Sequence, residues 1–141
     1  MLAWLNDLLR PIRKRDSRFG DLRYFRSGEF WEGKVAFQPT GSVVEVLISG
    51  TAMAPTDEQR SFFAEVERRY DELLPAIREI LLEARRPTTP DDAQFELICV
   101  DIPATPGSHV EWELSYQTRP KSWNFTVTLV GWKPGEVVAE C

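Results

Sequence analysis

One histidine and two cysteines stand in this chain of 141 residues, and that scarcity excludes most common catalytic and metal-binding constellations. A lone imidazole, His109, cannot build a multi-histidine metal centre, and no nucleophile or acid has a telling spacing to it. Cys99 lies within the apolar run FELICV and Cys141 is the last residue. That spacing matches neither a zinc site nor a disulfide framework, so a reducing cytosol is expected. Phosphate-cradling loops of the GxGxxG or GxxxxGK[ST] type are missing, as is the regular acidic spacing of a calcium loop. No stretch approaches the ~20 apolar residues that span a bilayer. The N-terminus, MLAWLNDLLRPIRKR, carries its positive charge after the apolar stretch, is interrupted by Asp7 and leads to no small-residue cleavage site. It therefore fails as a signal peptide. The expectation is a cytoplasmic protein with no cofactor, no metal and no stable membrane insertion.

What is present is ordinary globular material with many large rings. Apolar residues make up 43% and charged residues 28%, with five Trp and eight Phe. A chain of this length can bury a substantial core as one domain. The net charge of −5 is unevenly spread. Residues 1–26 hold seven Lys/Arg against three Asp/Glu, and the remainder ten against nineteen. An acidic body argues against nucleic acid, because phosphates are met mostly by Lys and Arg. It suits a basic protein partner.

Periodicity predicts the elements. Leu2, Leu5, Leu8, Leu9 and Ile12 recur at helical spacing, giving a short amphipathic helix over residues 2–10 that Pro11 stops or kinks before the basic run Arg13, Lys14, Arg15. Such a stripe packs on its own domain or on a second copy, or rests on a membrane surface. Leu22 and Tyr24, then Trp31, Gly33, Val35 and Phe37, then Val44, Val46 and Ile48 alternate as strands separated by Ser27-Gly28 and Pro39-Thr40-Gly41 turns. Gly33 suggests a bulge or a large ring lying across the strand. Thr56 and Gln59 form a capping box ahead of Phe62, Phe63, Val66, Tyr70, Leu73, Leu74, Ile77, Leu81 and Ala84 on one helical face. Pro75 predicts a kink or break near Leu74. Three more period-2 runs follow, through Phe95, Leu97 and Cys99; Val110, Trp112, Leu114 and Tyr116; and Trp123, Phe125, Val127 and Leu129. The first of them makes Cys99 a small core residue rather than a thiolate nucleophile. A last strand runs through Val137 and Ala139. The fold predicted is α+β: an antiparallel sheet of about six or seven strands, with one long, Pro-kinked helix on one face and a short N-terminal helix. Residues 1–15 stand apart as the amphipathic helical extension, and 16–141 form the domain.

The candidate interaction surface is the outer face of the later strands. With Phe95, Leu97, Trp112, Leu114, Phe125 and Val127 turned inward, Glu96, Glu111, Glu113, Asn124, Thr126 and Thr128 turn outward. Three glutamates with hydroxyl neighbours make an acidic patch that fits a basic partner, although the wet face of an antiparallel sheet is polar by default. Phe25, Phe30 and Trp132 fall outside the core alternation. They are either surface anchors or rings covered by the N-terminal helix.

The ordered strings FGDLRY (19–24), WEGKVAF (31–37), VEVLISG (44–50), PTDEQRSFF (55–63) and YDELLPAIREILLE (70–83) resemble those of small bacterial cytoplasmic domains. Some of these look like immunity proteins of contact-dependent or polymorphic toxin systems. The resemblance covers residues 19–84 and implies a non-enzymatic protein that binds and neutralises a cognate toxin, through a basic toxin domain on the charge argument. No functional residue is carried over, because the matched positions are apolar or capping residues. A second reading is a small adaptor or regulatory module that self-associates through its N-terminal helix as a homo-oligomer.

Overall fold

A computed structural model describes residues 12–85, 94–119 and 123–140. The helix expected over 2–10, the 87–92 connector and Cys141 lie outside these. Within these residues the chain forms eight strands, all but the first marked by alternating apolar and polar residues: β1 (Ile12–Asp16), β2 (Gly20–Phe25), β3 (Phe30–Phe37), β4 (Ser42–Ser49), β5 (Gln94–Ile102), β6 (Glu111–Arg119), β7 (Asn124–Val130) and β8 (Lys133–Glu140). They lie in chain order in a single sheet. One helix among the described residues, α1 (Asp57–Glu83), connects β4 to β5.

The sheet is mixed rather than wholly antiparallel. Six neighbouring pairs are antiparallel, but β4 and β5 run parallel, with Val46 opposite Val100 and Ile48 opposite Ile102. The cause is the connection. A helix of 27 residues is ~40 Å long at 1.5 Å per residue, so it carries the chain back along the sheet before β5 begins. Parallel neighbours need such a crossover. Two four-stranded antiparallel meanders are thereby joined edge to edge. The count exceeds the expected six or seven because β1 escapes the apolar pattern. Its sequence is IRKRD, and of the three residues in the inward phase, Ile12, Lys14 and Asp16, only Ile12 and Asp16 are withdrawn from solvent. Of the segment 1–15, residues 12–15 therefore belong to the sheet.

Helix α1 begins as the capping box predicts. The Thr56 hydroxyl accepts the Gln59 N–H at 3.1 Å, and the Gln59 side chain accepts the Thr56 N–H at 3.0 Å. The Gln59 amide also donates to Ser49 O and Pro103 O, tying the helix start to the ends of β4 and β5. Phe62, Phe63, Val66, Tyr70, Leu73, Ile77 and Leu81 are buried against the sheet. Each such side chain contributes roughly 1.5–3 kcal/mol. Of the kink or break expected near Leu74, the break is not there, for α1 runs unbroken through Pro75. Pro75 and Asp71 are both exposed, so the Asp71 carbonyl deprived of its helical bond lies on the wet side. The buried stripe continues on either side of it through Leu73 and Ile77.

Buried polar groups fix the remaining contacts. The Asp16 carboxylate, 6% exposed, accepts the N–H groups of Arg18 and Phe19 and is paired with Arg60 of α1. Burial pushes its pKa up, but Arg60 and the two backbone donors outweigh that and hold it below the usual value. The Tyr70 and Tyr116 hydroxyls meet at 2.7 Å in the core. Gly33 marks no bulge, since β3 pairs with β4 without interruption. A Cβ there would sit 2.5 Å from Leu22 Cδ2, so glycine makes room for an aliphatic side chain of β2 rather than for a ring.

Candidate functional site: the outer face of the sheet

The face turned away from α1 is built by residues alternating with the core. Across it runs one transverse row, fixed by register: Arg13, Arg23, Glu32, Leu47, Asp101, Glu113 and Thr128 on β1 to β7. The adjacent row places Lys34 opposite Glu45, Glu45 opposite Cys99, Cys99 opposite Ser115 and Ser115 opposite Thr126. The Ser115 and Thr126 hydroxyls lie 3.3 Å apart. The face is polarised. Cations (Arg13, Arg15, Arg23, Lys34) occupy the β1–β3 side, and carboxylates (Glu32, Glu45, Asp101, Glu113) occupy the middle. On the cationic side Asp21 pairs with Arg15 at 2.9 Å, and the Arg23 guanidinium lies 4.6 Å from the centre of the Phe25 ring.

Two groups of this centre, Asp101 and Cys99, are shifted, by burial first and by neighbouring carboxylates second. Burial raises the Asp101 pKa to about 6, with the charge of Glu113 across the strand pair adding to it. Burial also pushes the Cys99 thiol up to about 12, reinforced by Asp101, Glu45, Glu113 and Glu32. A thiol so placed stays protonated at neutral pH and is a poor nucleophile. This corrects its expected position, because Cys99 is half-buried on the outer face and is not a core residue. A bulge between Leu97 and Cys99 inserts one residue and reverses the alternation of β5. Phe95 and Leu97 face the core before it, Val100 and Ile102 after it.

The six residues singled out from the sequence all fall on this face but do not form one patch. Glu113 stands opposite both Asp101 and Thr128, and Glu111 opposite Val130. Glu96 pairs with Gln117, which pairs with Asn124. Gln117 is four residues from Glu113, about 14 Å along the strand. Glu96 and Asn124 thus lie away from the acidic centre, and Thr126 and Thr128 border it. Asp101, Glu45 and Glu32 were missed. Asp101 was legible as a charge between Val100 and Ile102, had the bulge been allowed for. Glu32 and Glu45 join the patch only through the parallel β4–β5 pair.

The extra-core rings pack in pairs. Phe25 stacks on Phe30 at 5.1 Å, and Trp132 stacks on Phe62 of α1 at 5.4 Å with the Arg69 guanidinium 4.7 Å from its centre. All three rings are half-buried. His109 is exposed in the loop before β6. Among the described residues there is no group of three or more His, Cys, Asp or Glu that could hold a metal ion. No helix there is long and apolar enough to cross a membrane. The arrangement offers carboxylates and hydroxyls in rows, which are acceptors for lysine and arginine side chains. The chain matches no protein-family model, no curated protein and no solved structure.

Proposed function

We propose that this is a non-enzymatic cytoplasmic binding protein of the immunity type, which neutralises a cognate bacterial toxin by covering a basic surface of it with the acidic centre of the outer face. The observation carrying this reading is the Asp101–Glu113 pair. Two carboxylates directly opposite each other on neighbouring strands destabilise a sheet by roughly 0.2–1 kcal/mol, and Asp101 bears a burial penalty as well. Within the described structure this arrangement has no structural return, whereas a lysine or arginine from a partner relieves both penalties. The resemblance of residues 19–84 to immunity-type domains supplies the class of partner, and the acidic balance outside residues 1–26 agrees with a basic one.

Co-expression with the product of the neighbouring gene is the test. A stable complex and restored growth are expected, and absence of both would overturn the reading. Glu111→Lys with Glu113→Lys should weaken that complex on the order of tenfold or more, as reversed charges do at a complementary surface. Unchanged affinity in this double variant would move the contact off the outer face.

A further inference from the structure

An open sheet has two edges, and here they carry opposite charge. On β1, Arg13 and Arg15 are exposed on the outer face beyond the last strand pair. On β8, Glu136, Val138 and Glu140 are exposed and alternate with the half-buried Val137 and Ala139. Val138 is 57% exposed. Among the described residues β1 pairs only with β2, and β8 only with β7. Each edge therefore presents backbone N–H and C=O groups able to template another strand.

Each edge is guarded against its own kind. Two β1 strands pairing antiparallel about Lys14 would set Arg13 against Arg15. Two β8 strands pairing about Val138 would set Glu136 against Glu140. Like charges directly opposite oppose both pairings. The same charges favour β1 against β8. The transverse row that begins at Arg13 ends on β7 at Thr128. Thr128 lies between the Val127–Val137 and Leu129–Pro134 pairs, level with Gly135 and Glu136. A copy added without stagger thus brings its Arg13 to Glu136 and its Arg15, two residues on, to the Val138 level between Glu136 and Glu140. The strand directions agree, since β1 and β8 point the same way through six antiparallel steps and one parallel step.

We infer that a second copy of this chain adds to the sheet, β8 of one copy running parallel to β1 of the next, held by backbone bonds and by Arg13 and Arg15 against Glu136 and Glu140. The contact is heterologous, so further copies add head to tail. It uses the edges and not the acidic centre, and stands or falls separately from toxin binding.

Sedimentation velocity of the full chain over a wide range of concentration tests it. At low salt the mean mass should rise with concentration, and at ~0.5 M salt, where charges are screened within a few ångströms, the rise should shrink. Arg13→Glu with Arg15→Glu makes both edges acidic, and Glu136→Lys with Glu140→Lys makes both basic. Each variant alone should remain monomeric, and mixing the two should restore association, with circular dichroism confirming that both are folded. A wild-type chain that is monomeric at every concentration at low salt overturns the inference. So does association that either charge reversal leaves unchanged or strengthens.

Discussion

Asp101 destabilises the fold in which it stands. Its folded pKa is raised from 3.8 to about 6, so its ionised form is less favourable in the folded than in the unfolded chain. Below about pH 4 both states are protonated and the difference vanishes. Stability then falls as pH rises toward 6, and above 6 the full cost is in place. A shift of this size corresponds to at most ~3 kcal/mol, which partial exposure reduces to about 1–2 kcal/mol. Asp101→Asn is therefore expected to stabilise the protein by about 1–2 kcal/mol at pH 7 in urea unfolding, with the gain gone by about pH 3. An equal gain at both pH values would assign the effect to packing instead. Tyr116 gives the converse case. Burial raises its pKa, and its hydroxyl is the partner of Tyr70. Tyr116→Phe strands the Tyr70 hydroxyl and should cost about 1–2 kcal/mol, while the double change Tyr70→Phe with Tyr116→Phe should lie closer to wild type. A denaturant double-mutant cycle checks this, and strict additivity would argue against it.

At the scale of elements, the helix was the most legible and the most instructive. Its start, apolar face and first-turn acids Asp57 and Glu58 all stand as periodicity and capping dictate. Its continuity through Pro75 does not follow from local propensity. Packing of Leu73 and Ile77 on the sheet outweighs one lost backbone bond on the exposed side. Pro75→Ala should accordingly raise stability by about 1–2 kcal/mol, since proline is the poorest residue in a helix interior. A rise in Tm checks it; a fall would mean that Pro75 shapes α1 to fit the sheet. Seven strands were readable from alternation. β1 was not, because an edge strand with three consecutive cations shows no apolar period. The half-buried Cys99 was misplaced because a bulge adds a residue without leaving a mark in composition. FELICVDI carries apolar side chains in both phases, and only the pairing of Leu97 with Tyr116 and Cys99 with Ser115 shows where the phase changes.

For the whole molecule, local pattern determined the class: strands, a capped amphipathic helix, strands again, and an outer face bearing Glu111, Glu113, Thr126 and Thr128. Composition determined the acidic balance and the scarcity of catalytic groups. Only tertiary structure decided that β4 and β5 lie side by side and parallel, because nothing local records which strand edges meet after a 27-residue helix. That one pairing places Glu32 and Glu45 of the first meander beside Asp101 and Glu113 of the second. It also leaves β1 and β8 as the two oppositely charged edges. Sequence periodicity reports which face a side chain occupies, since that depends on its immediate neighbours. Which side chains share the face is set by contacts between residues far apart in the chain.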